Sequence, residues 1–409
     1  MTRITIRRKN VGLIAVLLLS SFHVASTNSQ SNAGSASAVK GGESAGTIEG
    51  GTIAFALTSL RWATYLTPDG KVNCPDGVNE GPREQFTALF PDNGKGRALV
   101  DTQLQREVQN WFPTTAPDYF KFREPQGPNA LGLNLDGKVD SDDFTSPEGV
   151  PGIDNQLYRV LGCINSYRDA QGTNDSLNSL EIVTDGYNRL LVELNGVTSL
   201  ENSDNVEVML YRGLDPLYTT ADGKGFLPGG SQRIDVRWGQ KFIQRLKGKI
   251  VNGVLTTEPA DITIPWSVFA LPTDEYMRGA SLQLKLTGTS AEGLIGGFAD
   301  IETWYFQLMA SQSTHCQSYG QLASMSLYKA MRRLADGYPD AKTGANTAIS
   351  SALRTTFTQV YIVPESKAEL AKIKTLQRAA PYQGLPNPRP AAEEMADFPK
   401  VRATLAKTD

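Results

Sequence analysis

Ser281-Leu282-Gln283-Leu284-Lys285-Leu286-Thr287 alternates apolar and polar residues at a period of two. Side chains of a strand point alternately to opposite faces. Leu282, Leu284 and Leu286 therefore share one face, and Gln283, Lys285 and Thr287 the other. Seven similar runs lie between residues 180 and 310: YNRLLVELNGV, NVEVMLYRGL, SQRIDVRW, GKIV, VLTTE, ADITIPW and GFADIETWYFQL. Between GKIV and VLTT stands Asn252-Gly253, which suits a two-residue type I′ hairpin turn. About eight short strands without helices between them predict a mainly β fold: an antiparallel β-sandwich with a few peripheral α-helices and long loops.

Working outward, residues 350–363 (SSALRTTFTQVYIV) read as a long strand that rejoins the sheet. Leu322, Met325, Tyr328, Met331 and Leu334 recur at helical spacing and predict a helix inserted at about 320–336, closed by Gly337 and Pro339. The β region with this insertion spans 180–363. Ser366-Lys367-Ala368-Glu369 is a capping box that opens a short helix, and the Pro/Ala-rich remainder of 364–409 is expected to be a disordered tail. Upstream, 51–179 is loop-rich. Thr52 starts a strand pair or a short helix, and 97–112 (RALVDTQLQREVQNWF) has the spacing of an amphipathic helix stopped by Pro113. Residues 153–163 form a short helical run.

The N-terminus reads as an export signal. Arg3, Arg7, Arg8 and Lys9 precede a 12-residue apolar run, Val11 to Phe22, too short to span a bilayer. Cleavage is expected after residue 26, followed by a flexible Ser/Gly/Ala-rich leader over 27–50. The expected location is secreted or periplasmic, with no membrane insertion after cleavage. Removing residues 1–26 takes four cations and no acid, so the formal charge moves from -3 to about -7. Without a Lys/Arg block there is no footprint for nucleic acid. Cys74, Cys163 and Cys316 allow one disulfide in an oxidising compartment, with three pairings open.

The sharpest motif is Asn134-Leu135-Asp136-Gly137-Lys138-Val139-Asp140-Ser141-Asp142-Asp143. Calcium loops alternate oxygen ligands around a glycine that permits a tight turn. With Gly137 at the sixth position, Asn134, Asp136, Lys138 (through its carbonyl), Asp140 and Asp143 fall at the third, fifth, seventh, ninth and twelfth. Val139 takes the apolar eighth. The segment resembles EF-hand loops, and more closely dockerin loops, which end in Asp. It departs from them at Gly132, which occupies the first position where a carboxylate is expected. Asp142, Glu148 and Asp154 are nearby substitutes. Ca2+ is thus the candidate cofactor, against the alternative of an acidic, solvated turn.

Other chemistry is thinner. His315 is the one histidine after the signal, which excludes multi-histidine metal sites, and no Gly-x-Ser-x-Gly elbow accompanies it. Its neighbour Cys316 suggests a disulfide cysteine before a nucleophile. Glu193, Glu207, Asp235, Asp261 and Glu302 lie in expected strands, but no spacing selects a catalytic pair. Trp238, Trp266, Trp304 and Tyr305 suit either a core or a sugar-stacking face. No catalytic residue is assigned.

Two further strings, Gly152-Ile153-Asp154-Asn155-Gln156-Leu157-Tyr158-Arg159 with Gly162-Cys163, and Leu334-Ala335-Asp336-Gly337-Tyr338-Pro339-Asp340, join VLTTEPADI (254–262) and AEGLIGGFADIETWY (291–305). Together they resemble an uncharacterised group of secreted or periplasmic proteins of Gram-negative bacteria over roughly residues 70–360. The resemblance implies export and one shared architecture and carries no catalytic residue. The expectation is an exported, non-enzymatic binding or structural module with a calcium-stabilised loop, its partner a glycan or another extracellular protein. The alternative is an extracellular carbohydrate-active hydrolase using paired carboxylates.

Overall fold

The structure is a computed structural model. It describes residues 48–70, 73–79, 123–164, 188–305 (with breaks at 239, 269–270 and 273) and 324–372. It also describes Leu104–Arg106, Gln109–Trp111, 167–168 and 182. The expected signal, the expected leader up to residue 47, His315, Cys316 and the expected tail beyond 372 lie outside these residues.

Eight strands follow one another around the main sheet: β1 (Thr52–Trp62), β2 (Leu190–Asn195), β3 (Ser203–Arg212), β4 (Gln244–Val251), β5 (Val254–Thr257), β6 (Glu275–Leu286), β7 (Ser290–Asp300) and β8 (Asn346–Ile362). Each pairs antiparallel with the next, and β8 pairs antiparallel with β1, from Ala54 opposite Val360 to Trp62 opposite Leu353. The sheet therefore closes into an eight-stranded antiparallel barrel, not the two packed layers of the expected β-sandwich. The strand runs were legible, but period-two alternation is the same whether inward faces meet across a sandwich or around a barrel. Closure is decided by a pairing between segments about 300 residues apart, and by β1, which lies in the stretch read as loop-rich.

Local irregularities permit the curvature that closure needs. The ladders shift register at Leu57/Ser59, at Ser203/Val206 and at Arg278/Ser281, and bulges of this kind bend a strand and increase its twist. The Asn252-Gly253 turn forms as the sequence predicts: both residues have positive φ, and Val251 pairs with Val254.

An eight-stranded barrel is just wide enough for side chains to fill it. Phe55, Leu57, Val192, Val208, Leu255, Leu284, Ile295 and Leu353 join one buried apolar cluster that fills this one. Outward positions on β4 and β6, among them Arg245, Lys247, Lys249 and Lys285, are exposed and charged. This arc is hydrocarbon inside and charged outside, the opposite of a membrane barrel. Among the described residues no helix is long and apolar enough to cross a membrane. At one end Trp62 stacks on Trp266 (5.4 Å between ring centroids) and meets Trp304 edge-on (6.1 Å).

Among the described residues α1 (Gln156–Leu161), α2 (Ser324–Leu334) and α3 (Pro364–Lys372) flank the barrel. Helices α1 and α2 pack against each other and against β8. A second apolar cluster outside the barrel joins Ala54 and Ala56 of β1, Leu191 of β2 and Val360 of β8, with Leu370 of α3 packed against it. β1 is thus apolar on both faces, which is why TIAFAL does not alternate cleanly. The expected helix at 97–112 is corrected where it is described: Leu104–Arg106 pairs antiparallel with Gln109–Trp111. Leu104 and Trp111, read as one helical stripe, are cross-strand partners.

Candidate ion-binding loop

Gly137 turns the chain at φ +78°, a conformation that L side chains resist. The side chains around it fold back onto the turn. Asn134 Oδ1 accepts from the Gly137 amide (2.7 Å), and Asn134 Nδ2 donates to the Lys138 carbonyl (2.6 Å). Asp136 Oδ1 accepts from the Lys138 amide (2.8 Å), and its Oδ2 receives the Lys138 ammonium (2.9 Å). Asp143 Oδ2 accepts from the Asp140 amide (2.6 Å). The structure thus gathers Asn134, Asp136 and Lys138 tightly and links Asp140 to Asp143. Val139, placed at the apolar eighth position, is exposed.

A second segment presses on this turn. Leu133 bridges to Asp154, and Phe144–Thr145 pairs with Pro151–Ile153. At Gly152 a Cβ would sit 2.5 Å from the Lys138 carbonyl oxygen, so only glycine allows this approach. At Gly132 a Cβ would sit 2.7 Å from Ile153 Cγ2. The first loop position therefore has no room for a side chain. Asp154 comes to the loop from the other segment instead, its Oδ2 accepting from the Leu135 amide (2.6 Å).

The electrostatics follow from this crowding. Asp154 is 8% exposed. Burial raises its pKa to about 6, the Leu135 hydrogen bond opposes the rise, and the charges of Asp143, Asp136 and Asp336 add to it. Asp336 is also raised to about 6, first by burial, with hydrogen bonding at Ser350 opposing and the charge of Asp142 contributing. Asp136 is held below the usual carboxylate range by its hydrogen bonds to Lys138. Among the described residues no three His, Cys, Asp or Glu side chains already converge as a metal-ligand set. Asp336 had no local signal. Its carboxylate accepts from the Ser350 amide of β8 (2.7 Å).

The other candidates are spent on structure. Glu193 takes the Tyr211 hydroxyl (3.1 Å) and the Lys367 ammonium. Asp235 is held between Arg212 and Arg237. Asp261 accepts from the Tyr276 hydroxyl (3.0 Å) and the Gly279 amide (2.9 Å). Glu207 pairs with Arg245, and Glu302 accepts from Tyr328 (2.6 Å). Among the described residues no two of these carboxylates share a hydrogen-bond or ion-pair partner, although the charges of Glu193 and Glu207 both reach Tyr211. Trp266 and Trp304 are core residues, Trp238 packs against Phe242, and Tyr305 packs against Tyr328. Of the three possible disulfides, Cys74–Cys163 forms, with a Cα–Cα distance of 5.9 Å.

No family profile matches the chain, and no curated protein or solved structure matches it either.

Proposed function

We propose that the chain is an exported, non-enzymatic binding or structural module whose barrel is stiffened at one side by Ca2+. The ion would take oxygen from Asn134, Asp136, the Lys138 carbonyl, Asp140 and Asp143, with Asp154 replacing the side chain that Gly132 lacks. The observation that carries this reading is Asp154, a carboxylate buried among the charges of Asp136, Asp143 and Asp336. The cation beside them, Lys138, has its side chain 68% exposed and is committed to Asp136. Gathered carboxylates repel one another, and a hard divalent cation with oxygen ligands removes the repulsion.

The loop is placed to transmit this order. Directly after Asp154, Asn155 donates to the Leu131 carbonyl (2.7 Å) and the Ala63 carbonyl (3.2 Å), and the Gln156 amide donates to Ser350 Oγ (2.8 Å). An ion at the loop would fix the start of α1 against β1 and β8. The disulfide supports export, since such bonds persist in oxidising compartments. The partner of such a module would be a glycan or another extracellular protein. The test is thermal unfolding with excess Ca2+ and then with chelator. A ligand at about 100 times its dissociation constant adds ~2.7 kcal/mol. A rise in melting temperature that is lost in Asp136→Ala with Asp140→Ala supports the reading, and no rise refutes it.

A further inference from the structure

Glu275, the first residue of β6, points into the barrel. It pairs with Ile264 on the neighbouring strand Ala260–Ile264 and alternates with the buried Met277, while Tyr276 and Arg278 between and beyond them turn outward. It is 4% exposed. Among the described residues its carboxyl has neither a hydrogen-bond nor an ion-pair partner. Among the described residues the neighbouring charges of Asp261, Asp274, Asp300 and Glu302 are engaged elsewhere. Asp261 is bound by Tyr276 and Gly279, Asp274 by Lys241, Asp300 by Arg278 and Thr303, and Glu302 by Tyr328. Asp300, of the same sign, adds to the effect of burial on Glu275.

The backbone beside this group is strained. Asp274 has φ +43°, and its amide donates to the Trp266 carbonyl (2.9 Å). The strand start thus combines an unfavourable backbone conformation with an inward-facing acid that is 4% exposed. We propose that Glu275 is a proton-operated latch at this end of the barrel: protonated, it lets the ribbon of Ala260–Ile264 and the first residues of β6 pack inward, and ionised, it loosens that ribbon.

Burial, with Asp300 adding to it, pushes the Glu275 carboxyl well above the usual range. The folded form therefore holds the proton more tightly than the unfolded chain. The stability this brings is complete below the unfolded value of about 4.3, and it is lost as pH rises toward the folded value. Hydrogen exchange of the whole protein, corrected for intrinsic rates, tests the latch. Raising pH from about 5 to about 8 should cut protection of residues 260–266 and 274–278 about tenfold, with β2 and β3 unchanged. Glu275→Gln and, independently, Glu275→Met should keep the protection at both pH values. Equal protection in the unaltered protein at both pH values overturns the proposal, as does the same loss in both variants.

Discussion

Replacing Cys74 and Cys163 together by alanine removes the bridge that ties residues 73–79 to the end of α1. The Asn79 amide already donates to the Cys163 carbonyl (2.7 Å), and the Asn79 side chain exchanges hydrogen bonds with the Arg123 backbone. The native contacts around the bridge thus survive its loss, and the main effect falls on the unfolded chain. The bridged residues are 89 apart. Closing a loop of that size restricts the unfolded chain by about 15 cal/mol/K, or ~4.6 kcal/mol at 25 °C, at the upper end of the roughly 2–5 kcal/mol seen on removing native disulfides. At about 2–4 °C per kcal/mol for domains of this general size, the melting temperature should fall by roughly 10 °C or more. Circular dichroism melts of the double variant and of the reduced protein should agree. Non-reducing peptide mapping should recover a Cys74–Cys163 peptide and no bridge from either residue to Cys316. A melting temperature within about 2 °C of the unaltered protein would refute the loop-closure reasoning. A bridge to Cys316 would refute the pairing itself.

Two further perturbations probe the barrel and the acidic side. At Gly293 in β7 a Cβ would sit 2.0 Å from the Gln283 carbonyl oxygen of β6. Gly293→Ala should cost about 2–4 kcal/mol in chemical unfolding, because a backbone group must move, and an unchanged denaturation midpoint would contradict the β6–β7 register. Asp336 titrates at about 6 when folded, above its unfolded value, so its favourable contribution is lost as pH rises from about 4 to about 6. Asp336→Asn keeps an acceptor for the Ser350 amide. Measured in chelator, it should flatten that slope by up to about 3 kcal/mol, and an undiminished slope would count against the burial of this carboxyl.

Much of this architecture can be read from short stretches. The Asn252-Gly253 hairpin, the alternation over 281–287 and the helix with Tyr328 and Met331 each depend on local spacing, whereas the helix expected to open at a Ser366 capping box starts at Pro364, and Ser366 Oγ donates to the Val363 carbonyl (2.7 Å). Closure of the sheet does not depend on local spacing, because Ala54 meets Val360 across most of the chain. The ion loop is similar. Gly137 and its flanking Asn and Asp residues identify themselves by spacing, and Gly132 is visible as the departure. The reason for that departure is the packing of Ile153 against it, which only the fold supplies. Asp336 and Glu275 are invisible for the same cause. An aspartate before a strand and a glutamate at a strand start look like solvent-facing groups until the register shows one bonded to Ser350 and the other opposite Ile264.

The most direct measurement is calorimetric titration of the metal-free protein with Ca2+, repeated for Asp154→Asn. The account predicts one bound ion per chain. It also predicts an affinity lowered about 10-fold or more in the variant, since a carboxylate ligand worth ~1.4 kcal/mol or more is lost. No heat of binding, or binding that Asp154→Asn leaves unchanged, would contradict it.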